Sequence, residues 1–244
     1  MGQSAAPAKR SVVMIASNPA ISPVTQWPIG FWWAELSHAW LEFHHADYDI
    51  VVASPQGGDL EADAWSDPTH ESGYAAHDII SLGFKTSPIT APLIKNTPAL
   101  ASLDLNGFDA AFVVGGQGPM VTMAHDAQLH ALLARFYESG KILAAVCHGT
   151  CVLLRTRLST GDLLVKDKTW TGFANSEERY AEHAANTKIQ PFWIETEAKA
   201  IAETNFVTAG LLAEFAVRDG RLITGQQQNS SAAAARLVIE ALGY

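Results

Sequence analysis

The residues best placed to do chemistry lie in the run Ala144-Ala145-Val146-Cys147-His148-Gly149-Thr150-Cys151. An apolar stretch leads directly into Cys147, with the small residues Ala145 and Gly149 two positions to either side. This meets the demand of a nucleophile elbow, a sharp strand-to-helix turn that crowds its flanks and pushes the central side chain outward. At the first turn of a helix, unpaired N–H groups and the macrodipole favour a thiolate, so Cys147 is expected to ionise below the ordinary thiol range. The plain alternative is a small residue buried behind a sheet, as free cysteines often are. Turn, dipole and adjacent histidine together favour the nucleophile. Cys151, one helical turn further on, is expected to pack in the helix core. His148 poses a geometric question, because neighbours on a regular helix point in different directions. It can serve Cys147 only if the turn splays both side chains into one pocket, where an acidic partner would orient the ring. Otherwise it is a turn histidine with a satisfied hydrogen bond.

A strand must deliver Cys147 to that turn, and the flanking sequence supplies one at 142–146 (ILAAV). Similar short apolar runs occur at 11–16, 49–53, 109–114 and 222–224, the last after a hairpin turn at 218–221. Between them the spacing predicts helices over 30–46, 126–139, 150–157, 175–184 and 229–242. In the first, Leu36, Trp40 and Phe43 form the apolar stripe. A further strand is expected around 169–171. Residues 54–98 are polar, turn-rich and interrupted by prolines, and read as a long connection with one short helix. A connection of that length is usually functional or an interface. Short strands alternating with helices predict a parallel sheet covered on both faces, in one α/β domain spanning 1–244.

Composition excludes several classes. Hydrophobic residues make up 48% and charged residues 17% of the 244-residue chain, which is the balance of a globular protein rather than a disordered one. Sixteen Lys and Arg against twenty-five Asp and Glu, with no basic run, argue against a nucleic-acid partner. Two cysteines four residues apart cannot build a disulfide framework, so a reducing, cytoplasmic setting is expected. Residues 1–10 lack the apolar core of a signal peptide, and Ala6 stands where a myristoylation motif needs Ser or Thr. No apolar run is long enough for a membrane span, so no membrane partner is expected.

Other segments complete a pattern. Cys147-His148-Gly149 after an apolar strand resembles the PfpI/ThiJ superfamily of flavodoxin-like proteins. Gly30 to Glu35 (GFWWAE) is similar to that family's approach to its first helix, and Ala53-Ser54-Pro55-Gln56-Gly57-Gly58 to its second-strand exit. Val114-Gly115-Gly116-Gln117-Gly118 resembles its glycine loop, and 171–178 (TGFANSEE) its acidic loop. The run 219–226 (DGRLITGQ) resembles its final strand. Together these cover nearly the whole chain in order, and they resemble the branch containing the glutathione-independent glyoxalases and related stress chaperones, also described as deglycases. The resemblance implies a doubly wound, mostly parallel flavodoxin-like sheet, a homodimer, and no cofactor.

It also implies roles. Glu35 falls where the family carries a glutamate that hydrogen-bonds the catalytic thiol, and a carboxyl there would have a raised pKa. Read without the resemblance, Glu35, His38, Glu42 and His45 form one polar helix face, or, less simply, a set of metal ligands; no metal is expected. Gly116, with its backbone N–H and that of His148, corresponds to the oxyanion region. Gln117 stands where many relatives of this branch have histidine, and its amide can bind a substrate carbonyl but cannot titrate. Of the two acids in the acidic loop, counting from Gly172-Phe173 favours Glu178 over Glu177 as the carboxylate orienting His148. Both would also suit a helix start capped by Asn175 or Ser176. Trp27, Trp32 and Trp33 could wall a pocket or an interface, though most tryptophans should be core.

The implied activity is a cofactor-free glyoxalase acting on a small dicarbonyl, methylglyoxal or glyoxal, through a cysteine hemithioacetal, with deglycase or chaperone roles alongside. Competing readings are a holdase chaperone or redox sensor in which Cys147 is oxidised, and a cysteine hydrolase or isonitrile hydratase. A glutamine amidotransferase fits poorly, because its elbow wants glycine at Ala145 and a His and Glu pair near the C-terminus, whereas the last histidine here is His183.

Overall fold

In a computed structural model that describes residues 9–243, the apolar runs become the strands of a single sheet. The segment read for leader and myristoylation signals lies, through residue 8, outside the described residues. Among the described residues six strands pair in the order β4 (Asp49–Ala53), β1 (Ser11–Ile15), β5 (Ala110–Val113), β6 (Ile142–Val146), β10 (Leu222–Gly225) and β9 (Ala216–Asp219). All neighbours are parallel except β9 and β10, which form the hairpin expected at 218–221.

Side chains alternate across the sheet, and both faces are buried, which is why the strands read as unbroken apolar runs rather than alternating ones. Val13, Val113, Leu143 and Ala145 pack with α3 (Gly118–Thr122), α4 (Ala127–Glu138) and α6 (Ile194–Lys199). Val12, Met14, Phe112 and Ala144 face α1 (Trp33–His45), α2 (Ile79–Thr86) and α7 (Ser231–Ala241). In α4 the Asp126 side chain accepts the Gln128 and Leu129 N–H groups, and Gly140 follows with a φ of 88°. These are the start and stop signals that placed this helix within a residue of 126–139.

The structure departs from the sequence reading in several places. The helix expected over 150–157 is a 3₁₀ segment, Cys147–Leu154. Thr150 Oγ1 donates to the Cys147 carbonyl at 2.6 Å, and this local bond competes with α-helical pairing. The strand near 169–171 is β7 (Thr169–Trp170), paired outside the main sheet with β8 (Asn205–Phe206). The hairpin β2 (Ala20–Ile21) and β3 (Pro28–Ile29) and the helices α3 and α6 had no signal, since elements this short show no period. The N-cap position of helix α5 (Asn175–Ala185) is Ala174 rather than Asn175 or Ser176. It has no side-chain acceptor, and the free N–H groups of this end are taken by Glu177, which accepts the Ala174 N–H at 2.9 Å, and by Glu195, which accepts the Asn175 N–H at 2.6 Å.

The connection 54–98 is ordered along the carboxyl end of the sheet. It holds α2 and two 3₁₀ turns, Ala64–Ser66 and Ala91–Ile94. The Phe31 N–H donates to Glu61 O and the Asp63 N–H to Phe31 O, which sews the connection to the approach of α1. No helix among the described residues is long and apolar enough to cross a membrane.

Candidate active site

Strand β6 ends at Val146, and the chain turns at Cys147 with φ of 53°. That left-handed conformation is costly for a residue with a Cβ, and it holds only where surrounding packing enforces it. Here Gly149 allows it: a Cβ at that position would lie 2.9 Å from the carbonyl oxygens of both Val113 and Val114. The strained turn answers the question about His148. Both side chains splay into one pocket, with Cys147 Sγ 3.5 Å from His148 Nδ1.

The far nitrogen of the ring, His148 Nε2, lies 2.9 Å from Glu178 Oε1, and both side chains are almost wholly buried. With a carboxylate at Nε2, the hydrogen-bond network assigns the proton there and leaves the Nδ1 lone pair toward the sulfur. The Phe173 ring lies over the imidazole at 4.0 Å between centroids. Burial pushes the Glu178 carboxyl above its usual range, and the His148 ring opposes that shift. Glu177 does something else. Its carboxylate accepts the Ala174 N–H at 2.9 Å, the Gln226 amide at 2.7 Å and the Leu212 N–H at 3.2 Å, so it fastens loops around the site.

Glu35 approaches the thiol from α1. It is fully buried, its Oε2 accepts the Gly115 N–H at 2.8 Å, its Oε1 has no hydrogen-bond partner, and the carboxyl interacts with the neighbouring Cys147 thiol. Gly115 makes this approach feasible. A Cβ there would lie 2.4 Å from Glu35 Oε2 and 2.9 Å from Cys147 Cβ, in the space the two groups share. Burial raises Glu35 to about 8, so the carboxyl is neutral at pH 7. The same burial, with the Glu35 charge beside it, raises Cys147 well above the ordinary thiol range.

This corrects the expectation of a thiol acidified by a helix start. The His148 N–H does favour the thiolate, but it does not replace the water that burial removes from around the sulfur. Two adjacent buried anions are excluded, so the resting pair carries at least one proton.

The remaining members of the polar stripe on α1 lead away from Cys147, and His45 is exposed. His38 Nε2 meets Asp78 Oδ1 at 2.9 Å, and Glu42 accepts from Arg236 at 2.8 Å. Glu35 is therefore not part of a solvated face, and the stripe is not a ligand set. Among the described residues no three His, Cys, Asp or Glu side chains gather as a metal site.

In the glycine loop, Gly116 is buried and does not line the cavity at Cys147, whereas Gln117 does. The Gln117 Oε1 atom is buried without a hydrogen-bond partner. The Gln117 N–H donates to Asp63 Oδ2 at 2.6 Å, and Asp63 Oδ1 accepts the Gly30 N–H at 3.0 Å. Asp63 thus ties the entry to α1 to the glycine loop, and burial raises its carboxyl to about 7.

The cavity over Cys147 measures about 160 Å³, and its walls include Trp27 and Trp32 but not Trp33, which packs against Phe31 and Phe84. Sequence reasoning missed Asp63, Trp65 and Tyr74. All three lie in the 54–98 connection, whose length was the one signal pointing to them. Cys151 is buried and its thiol donates to Pro119 O, as a packing residue would. The site combines a buried thiol, an imidazole oriented by a carboxylate, and a neutral carboxyl. Such a set can add sulfur to an electrophilic carbon and move protons on either side of it.

The DJ-1/PfpI family model matches residues 30–241. Glyoxalase 3 of Candida albicans is 25% identical over 214 residues, which cover 87% of this chain and 89% of that one. A glutathione-independent glyoxalase of Saccharomyces cerevisiae is 27% identical over 161 residues, 65% of this chain and 67% of that one. Among solved structures, the Rapid Encystment Protein of Francisella tularensis superposes with a TM-score of 0.83 at 23% identity, covering 96% of this chain and all of its own, and so shares the fold.

Proposed function

The chain belongs to the DJ-1/PfpI family, and we propose that within it this protein is a glutathione-independent glyoxalase that converts methylglyoxal or glyoxal to lactate or glycolate. The observation carrying this reading is the placement of Cys147 between two proton-handling groups of different kind, His148 on one side and the neutral Glu35 carboxyl on the other. A hydrolase needs one base beside its nucleophile. An internal redox isomerisation needs a proton removed from one carbon and returned to the next.

In this mechanism Cys147 Sγ bonds to the aldehyde carbon as its proton passes to His148 Nδ1, and the aldehyde oxygen takes that proton to give a hemithioacetal. The His148 N–H, beside the sulfur, and the Gln117 amide stabilise the developing charge on oxygen. His148 Nδ1 removes the hydrogen of the former aldehyde carbon as a proton while the neutral Glu35 carboxyl gives its proton to the ketone oxygen, forming an enediol. His148 then returns its proton to the neighbouring carbon, and the enediol hydroxyl beside sulfur reprotonates Glu35. The aldehyde carbon is thereby oxidised to a thioester and the ketone carbon reduced to an alcohol, with no external oxidant. Water then cleaves the thioester, releasing a 2-hydroxy acid and the thiol.

The test is lactate formation from methylglyoxal without glutathione, comparing the native protein with Cys147→Ala. Catalytic turnover that falls by about a thousandfold or more in the variant is expected for loss of a covalent nucleophile. Consumption of one equivalent followed by arrest would refute the proposal.

A second reading has its own support. The row from Cys147 through His148 to Glu178 also suits a cysteine hydrolase acting on a small ester or amide. Cysteine-dependent cleavage of such a compound, with no lactate from methylglyoxal, would favour it. A redox-sensor role is disfavoured by the burial of Cys147, whose raised pKa lowers the thiolate fraction available to oxidants.

A further inference from the structure

The walls of the cavity say more about the substrate than its reacting groups do. Its volume of about 160 Å³ is close to the roughly 150 Å³ apolar cavity that holds a benzene ring in another protein. A methyl substituent would leave most of that space empty. The space is bounded by aromatic faces. Trp32 meets Tyr74 edge-on with centroids 6.1 Å apart, and Trp65 lies tilted against Tyr74 at 6.4 Å. Phe173 and Tyr180 also line it, with Ala181, Ala184 and Ile189 adding apolar wall. Such walls favour a flat or branched apolar group.

Charge points the same way. No Lys or Arg lines the cavity among the described residues, while Glu177 and Glu178 do, so an anionic substituent would meet carboxylates and no counterion. Of the groups that could bind carbonyl oxygens, His148 lies beside the thiol and the amides of Gln117, Gln190 and Gln228 line the cavity, which leaves the aromatic walls to the substituent.

The mouth is also built with strain. Leu212 lines the cavity with φ of 56°, its N–H held by Glu177 Oε1 at 3.2 Å and its carbonyl by Asn229 Nδ2 at 3.0 Å. A leucine in this region is an outlier maintained by its surroundings, and here they fix an apolar side chain at the rim.

We propose that the preferred substrates are 2-oxoaldehydes carrying an uncharged aromatic or branched apolar substituent, with arylglyoxals favoured over methylglyoxal. This inference rests on the glyoxalase reading. The test measures kcat/KM for phenylglyoxal and methylglyoxal by the 2-hydroxy acid formed, in the native protein, Trp65→Ala and Trp65→Phe. Phenylglyoxal is expected to be favoured by about tenfold or more, the scale at which apolar pockets discriminate. Trp65→Ala should lower that ratio severalfold, and Trp65→Phe should keep most of it. A ring-carboxylated phenylglyoxal should lose about tenfold against phenylglyoxal. Turnover of both substrates with methylglyoxal equal or better, or a ratio unmoved in Trp65→Ala, would overturn the inference and leave the glyoxalase reading standing. Failure to turn over either substrate would remove both.

Discussion

The imidazole of His148 and the carboxylate of Glu178 meet at 2.9 Å in a buried contact, so the nitrogen left facing Cys147 is Nδ1. Everything the ring can do for the thiol depends on that orientation. Glu178→Gln keeps the shape but presents an amide, which can stabilise neither the imidazolium nor the required tautomer dependably. The expected result is a fall in kcat of about a hundredfold with KM changed less, and loss of the inactivation on acidification that protonation of Glu178, raised by burial, gives the native protein. An unchanged profile would remove Glu178 from its positioning role.

Glu35 carries a sign that can be checked without activity. Its folded pKa of about 8 stands above the ordinary value of 4.5. Its contribution to stability is therefore fully present below pH 4.5 and is lost as pH rises through 8. Glu35→Gln cannot ionise, so between pH 5 and pH 8 the variant should gain on the native protein by about 1 kcal/mol or more in urea unfolding. Its turnover should drop by about tenfold or more. A stability difference independent of pH would show that Glu35 is not held neutral by the fold.

Asp63 receives two buried N–H groups, one on each oxygen. Asp63→Asn leaves an oxygen for one of them and sets an amide N–H against the other. The unsatisfied donor should cost about 1–3 kcal/mol, read as a lower melting temperature. Because one of the two bonds anchors Gln117 and the other the entry to α1, loosening either should raise KM for the dicarbonyl more than kcat falls. A melting temperature equal to that of the native protein would show that the loop does not depend on this carboxylate.

Gly115→Ala tests the shared space between the acid and the thiol. The added methyl would lie 2.4 Å from Glu35 Oε2 and 2.8 Å from Val146 O, and one of these groups must move. Overpacking of this kind costs about 1–3 kcal/mol, and displacement of Glu35 should reduce turnover by about tenfold or more. Retained activity with native stability would mean the glycine is not needed for the approach.

The sequence was most legible where a signal is local. The run 142–146 ending at Cys147 announced both a strand and a turn, and Asp126 with Gly140 bracketed a helix correctly. Through the resemblance, counting along 171–178 selected Glu178 over Glu177, and Glu178 does hydrogen-bond with His148. Glu35 was legible only through resemblance. Its helical spacing with His38 and Glu42 suggested a solvated stripe, whereas the three side chains lead to Gly115, Asp78 and Arg236.

What the sequence determined by itself is the order along the chain of the main-sheet strands and of the longer helices between them, because burial on both sheet faces forces apolar runs and helices need their own period. It also determined which cysteine stands at the turn. Only the tertiary structure decided whether His148 reaches Cys147, since that rests on the left-handed turn at Cys147 and on the close approach of Gly149 to the end of β5. It alone decided the protonation of the thiol and Glu35, because desolvation depends on everything packed around them rather than on the residues beside them in the chain. And it alone placed Asp63, Trp65 and Tyr74 at the site. They belong to a connection without periodicity; Asp63 and Tyr74 are set by hydrogen bonds to residues far away along the chain, and Trp65 by ring contacts with Trp27 and Tyr74.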